Sequence, residues 1–263
     1  MSEMREDLDE SKMPLIEHLM ELRSRLIWCV VGFVGAFIVC FAFSTQMFNI
    51  LIKPWEWGLG TKTPNFIVTG LLEFFMTKLK IGLFGGLFIA FPLIATQIYL
   101  FMAPGLYKHE KNALRPYLIA TPLFFLLGAA LVYFFLMPVA IVFFTNLLAP
   151  AGSDGITVEL LPRVSEYLDL LMKLILAFGL CFQLPVVLTL LGQIGVVTYH
   201  QLKTGRRFAI VGVFVIAAIV TPPDIISQIS MAIPLLGLYE LAVQAVRWIE
   251  KRRAGRELTT GNE

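Results

Sequence analysis

Several uninterrupted apolar runs exceed the roughly 18 residues that mark a membrane-spanning helix, and they leave this chain few folds. Inside hydrocarbon, backbone N–H and C=O groups must find partners within the protein, so runs of this kind form helices. Six runs are legible: Leu22–Phe43, Phe74–Met102, Leu114–Leu148, Val164–Gly192, Phe208–Val220 and Ile225–Ile249. Hydrophobic residues make up 57% of the chain and charged residues 15%, whereas a soluble domain carries roughly 25% charged residues. The reading is an all-α, polytopic membrane protein with six transmembrane helices in a single domain, residues 1–263. Residues 1–21 form a cytoplasmic N-terminal segment and 250–263 a disordered cytoplasmic tail.

Orientation follows from where Lys and Arg fall. Fifteen of them lie in the N-terminal segment, the loops after helices two and four, and the tail; three, Lys53, Lys62 and Arg163, lie in the alternate loops. An even number of spans with this bias puts both termini in the cytoplasm. The opening MSEMREDLDE is acidic and does not form the basic start of a cleaved signal peptide. Cys29, Cys40 and Cys181 sit inside apolar runs without metal-ligand spacing and read as reduced packing residues.

Helices five and six are expected to be short. Phe208–Val220 at 1.5 Å per residue reaches about 20 Å, against a hydrocarbon core of about 30 Å. Pro234 interrupts helix six, and a tight Thr221–Asp224 turn joins the two. Either the bilayer thins around this pair or neighbouring helices bury it. Ser44–Leu72, with Pro54, Trp55, Trp57 and Pro64, reads as an outer connecting segment whose tryptophans suit a membrane interface.

Two segments carry the chemistry. In PLIEHLMELRSRL, Pro14–Leu26, the leucines at 15, 19, 22 and 26 form one apolar stripe, with Pro14 in the first turn. Glu21 and Arg25 have the spacing of an ordinary helical ion pair, a few tenths of a kcal/mol in an exposed helix. In FMAPGLYKHEK, Phe101–Lys111, Pro104 stops helix two, Gly105 allows the turn, and Lys108, His109, Glu110 and Lys111 face water. On the derived topology Glu21 and Glu110 share the cytoplasmic face. Two carboxylates there suit a basic peptide, although each segment alone also reads as a plain interfacial element. Gln183, just before Pro185, is placed to bond a neighbouring carbonyl or a partner helix. Glu240 can pair with Arg247 or meet headgroups; Glu73, Glu166 and Asp169 fall near outer helix ends.

No phosphate loop of the form GxxxxGK(S/T), no HExxH and no GxSxG occurs, and His18, His109 and His200 are scattered. The sequence gives no catalytic residue, metal site or cofactor, and no pattern for nucleic-acid binding. A secondary transporter lacks support from repeats or clustered midplane carboxylates. A purely structural scaffold would tolerate changes at both Glu21 and Glu110.

Taken together, these segments resemble the TatC family, the multispanning core subunit of the twin-arginine protein translocase. Three further segments carry the resemblance: AFGLCFQLPVVL at Ala177–Leu188, TPPDIISQ at Thr221–Gln228 and AIPLLGLYE at Ala232–Glu240. The resemblance implies a receptor for the twin-arginine signal peptides of folded cargo, in the cytoplasmic (inner) membrane. It implies assembly with TatA- and TatB-type single-span subunits, self-association in the complex, and export driven by the proton motive force. By motif position, Glu21 and Glu110 are expected to receive the arginine pair. Arg23, Phe101, Pro104, Leu106, Tyr107 and Lys108 are expected to surround it. Pro54, Glu73, Tyr133, Gln183, Thr221, Pro222, Asp224 and Gln228 are expected in partner contact or structure. Where the family usually carries Glu, this chain has Gln183, which can hydrogen-bond but cannot titrate.

Overall fold

The computed structural model describes residues 2–60, 66–102, 111–148, 161–220 and 225–260. Of the expected site residues, Pro104, Leu106, Tyr107, Lys108, Glu110, Thr221, Pro222 and Asp224 lie outside them. No strand occurs among the described residues; a single bridge joins Ile67 to Arg163. The helices are α1 (Ser2–Ala42), α2 (Ser44–Leu59), α3 (Glu73–Met102), α4 (Lys111–Leu131), α5 (Met137–Leu148), α6 (Val164–Cys181), α7 (Leu184–Gln193), α8 (Tyr199–Val220) and α9 (Ile225–Thr260).

Five stretches have the length and composition to cross a membrane: Leu19–Ala42, Glu73–Phe101, Pro116–Asn146, Val164–Gln193 and Gln228–Arg252. The last corrects the sequence reading, which makes helix six short: Pro234 lies within the 36 residues of α9 without ending it. Helix five also lengthens. α8 has 22 residues, because the charged stretch with Lys203, Arg206 and Arg207 continues the apolar one as a single helix. Only its apolar portion, from Phe208, is short. α9 runs through Thr260, into the segment the sequence reading leaves as tail.

α6 is the centre of the bundle. Its residues Tyr167, Leu168, Leu171, Ile175 and Phe178 recur at helical spacing and are all buried, so one continuous face packs against Ile81, Val132, Met137 and Leu235. α1 lies at the periphery and exposes Leu26, Trp28, Val31 and Ile38; in an apolar solvent such side chains need no cover. α1 and α3 run antiparallel. Gly32 faces Leu93, and a methyl at Gly86 would sit 2.8 Å from the Phe37 backbone, so glycine sets the closeness of the crossing.

Three departures from the sequence reading shape the candidate sites. The supposed connecting segment begins with a real helix, α2, which buries Leu51, Pro54 and Trp55 one turn apart. Pro54 does not break it. The third run carries a five-residue π turn, Val132–Leu136, between α4 and α5. The fourth run kinks at Phe182 and Gln183, between α6 and α7, where Pro185 enters the first turn of the next helix.

Candidate functional site

Glu21 and Arg25 lie one turn apart on α1. Arg25 donates from both Nε and Nη2, and both bonds fall on one oxygen of Glu21, Oε1, with the Nε contact at 3.1 Å. Each side chain is about one-fifth to one-third exposed, 21% for Arg25 and 34% for Glu21. The pair is therefore partly withdrawn from water, where a charge-assisted bond holds better than on an open surface. Arg23 points away and is exposed. The antiparallel register of α1 against α3 brings Glu21 level with the end of α3, where half-buried Phe101 stands. Glu21, Arg23 and Phe101 thus share one end of the bundle, at the root of the segment that carries Glu110.

A second set gathers at the opposite end. Pro54 has no N–H, so the carbonyl four residues back, Ile50, loses its helical partner. The Tyr133 hydroxyl, on the π turn, donates to that carbonyl at 2.6 Å. Tyr167 on α6 donates to the next carbonyl, Leu51, at 3.0 Å. Pro54 and Tyr133, related in the sequence only by motif, therefore form one joint between α2 and the third run. Glu73 opens α3 and binds loop and bundle together. Its Oε2 accepts the backbone N–H of Thr69 at 2.7 Å, the Thr69 hydroxyl at 3.0 Å and the Gly70 N–H at 3.1 Å. Its Oε1 accepts the Ser165 hydroxyl at 2.6 Å from the start of α6. Sequence reasoning missed Ser165, 92 residues away, because no local pattern marks it.

Gln183 sits in the kink. Its own N–H turns to Leu180 (3.0 Å), so the Gly179 carbonyl loses its i+4 partner and takes the Gln183 Nε2 at 3.4 Å. The same Nε2 donates to the Thr121 carbonyl on α4 at 3.0 Å. Its Oε1 is buried with no hydrogen-bond partner. Gln228 donates to the Phe214 carbonyl at 3.2 Å and ties α9 to α8. Glu240 is not paired with Arg247; it accepts Arg206 of α8 at 2.6 Å and Gln244 at 3.0 Å. Arg247 lies two turns along α9, beyond an i,i+4 contact, while the neighbouring helix brings Arg206 alongside. Lys80 on α3 and Asp169 on α6 form an ion pair at 2.6 Å that the sequence does not signal.

These features define a multi-span helical membrane protein whose polar joints lie at helix ends and kinks. Among the described residues no group of three His, Cys, Asp or Glu side chains comes together as a metal site.

The comparisons with known proteins narrow that class. A sequence profile for TatC, the Sec-independent protein translocase protein, matches residues 17–234. The TatC protein of Magnetococcus marinus is 45% identical over 248 residues, covering 94% of this chain and 89% of that protein. That of Rickettsia prowazekii is 42% identical over 237 residues, covering 90% and 94%. A crystal structure of the twin-arginine translocase receptor TatC matches with a TM-score of 0.76 and 36% identity, covering 89% of this chain and 99% of that one. The chain belongs to the TatC family and is a protein-translocase component of the membrane.

Proposed function

We propose that this chain is the twin-arginine signal-peptide receptor and core subunit of a translocase that exports folded proteins, driven by the proton motive force. The observation that carries the reading is the Glu21–Arg25 pair. A half-buried carboxylate midway along α1, near the start of its apolar stretch, is already shaped to hold a guanidinium. A signal-peptide arginine would take the place of Arg25 at Glu21, while its neighbour meets Glu110 on the adjoining segment. Arginine presents a planar fork that matches carboxylate through two bonds, and lysine does not, so such a site prefers an Arg pair to a Lys pair. Arg23, Phe101, Pro104, Leu106, Tyr107 and Lys108 form the shell in this reading. The apolar segment of the signal adds binding through the bilayer.

The topology that goes with this function has six spans, α8 completing the five longer ones, and both termini in the cytoplasm. It is supported by the fifteen Lys and Arg residues on one set of loops against three on the other. The protein then resides in the cytoplasmic (inner) membrane as one domain. TatA- and TatB-type single-span subunits, and further copies of the chain, dock on faces that include Pro54, Glu73, Tyr133, Gln183, Thr221, Pro222, Asp224 and Gln228.

Binding of a fluorescent Arg-Arg signal peptide to the protein in lipid nanodiscs tests the assignment. A charge-assisted bond contributes about 1.5–3 kcal/mol, so Glu110→Gln is expected to weaken binding by roughly one to two orders of magnitude while thermal unfolding stays unchanged. Unaltered affinity in the folded variant would contradict the reading.

A further inference from the structure

A groove of about 560 Å³ opens between α1, α3 and α6, and three charged side chains stand on its otherwise apolar wall. Lys80 and Asp169 bridge it at 2.6 Å. Lys173 lies one turn beyond Asp169 on α6, is exposed, and makes no ion pair or hydrogen bond among the described residues. One acid against two lysines leaves a surplus positive charge.

The depth makes this unusual. From Glu73, Lys80 lies about 10 Å along α3, and from Val164, Lys173 lies about 14 Å along α6, at 1.5 Å per residue. A lysine two to three turns inside a span reaches towards the headgroup level by extending its side chain along the helix. A cation facing lipid there needs a partner, and ionisable residues inside the membrane mark pathways or binding sites rather than neutral packing. The rest of the wall, including Phe33, Leu83 and Leu176, asks for hydrocarbon. The occupant must therefore be anionic at one end and apolar along its length. A free phosphate meets only the first condition. A partner helix meets both conditions only by carrying a carboxylate of its own into the span.

We propose that the groove seats one membrane phospholipid. Its phosphate lies against Lys173 and the Lys80–Asp169 bridge, and one acyl chain runs along Phe33, Leu83 and Leu176. Lys173 holds the lipid, and the lipid supplies the counter-charge that the protein leaves out.

Native mass spectrometry of the protein released from nanodiscs tests this, with phosphatidylglycerol offered against a glycolipid of the same acyl chains that has no phosphate. The wild type is expected to retain one phosphatidylglycerol and not the glycolipid. Lys173→Gln is expected to lower that occupancy by about fivefold, while Lys173→Arg keeps it and Lys203→Gln, at the other end of the bundle, leaves it unchanged. Lys173→Gln keeps the Lys80–Asp169 bridge, so its fold is retained, and unchanged thermal unfolding checks this. Equal retention in Lys173→Gln, equal retention of the glycolipid, or displacement of the lipid by excess inorganic phosphate would overturn the proposal. So would capture of a carboxylate-bearing transmembrane peptide in place of the lipid.

Discussion

Arg25 places two N–H donors on a single oxygen of Glu21, which leaves Oε2 outside that pairing. In the proposed receptor, Arg25 is an internal stand-in for an incoming arginine, and binding is an exchange of one guanidinium for another. The exchange lowers net affinity because a favourable contact is broken first.

Removing the competitor should therefore help. Arg25→Gln is expected to tighten Arg-Arg signal-peptide binding by about twofold, since an i,i+4 pair on a helix contributes only about 0.2–0.5 kcal/mol. Titration of the peptide into nanodiscs at two salt concentrations checks this. The gain should shrink at the higher salt, where the pair in the wild type is already weakened. Weaker binding in Arg25→Gln would assign Arg25 to the bound state instead.

The Pro54–Tyr133 joint gives a test that needs no ligand. Tyr133→Phe removes the donor to the Ile50 carbonyl and is expected to destabilise by about 0.6 kcal/mol, the average for such bonds in membrane proteins. Pro54→Ala restores a backbone N–H to the same carbonyl. In that background Tyr133→Phe should cost less, and a double-mutant cycle by reversible unfolding in detergent micelles reads the difference. Additive effects would separate the two residues.

Glu73 holds the outer loop through Thr69 and Gly70 and the start of α6 through Ser165. In Glu73→Ala the amide hydrogens of Thr69 and Gly70 lose their acceptor, and their exchange should speed up by about tenfold. Ser165→Ala removes one bond of the four and should have a smaller effect at the same amides. Hydrogen–deuterium exchange read at peptide resolution distinguishes the two variants.

Gln183 satisfies carbonyls on two helices, Thr121 and Gly179, through one nitrogen. Gln183→Leu leaves both without that donor, and the expected loss is about 0.6 kcal/mol with the kink weakened. Gln183→Asn, with a shorter reach, should lose the Thr121 contact as well. Unfolding curves that match the wild type in both variants would mean that the kink is set by Pro185 alone.

The sequence makes the membrane character of this fold plain, because hydrocarbon solvent demands long apolar helices. It also makes the Glu21–Arg25 pair legible, because residues four apart on one helix always meet. What it hides are contacts set by three-dimensional packing. α2 is obscured by Pro54 and two tryptophans, which read as an interface loop until Tyr133 is seen to satisfy the carbonyl that Pro54 frees. Lys80 and Asp169 are 89 residues apart, and no local period links them. Glu240 illustrates the same limit: the sequence offers Arg247 on the same helix, while the neighbouring helix supplies Arg206. The kink at Gln183 is signalled by Pro185, but the identity of the carbonyls it satisfies is not.

The most direct test of the receptor claim is site-specific photocrosslinking from position 112, beside an intact Glu110, in membranes, with a cargo precursor bearing an Arg-Arg signal and its Lys-Lys twin. The account predicts a crosslink to the Arg-Arg precursor alone, lost when Glu21→Gln is introduced on the same chain. Equal crosslinking of both precursors, or none in well-folded protein, would contradict it.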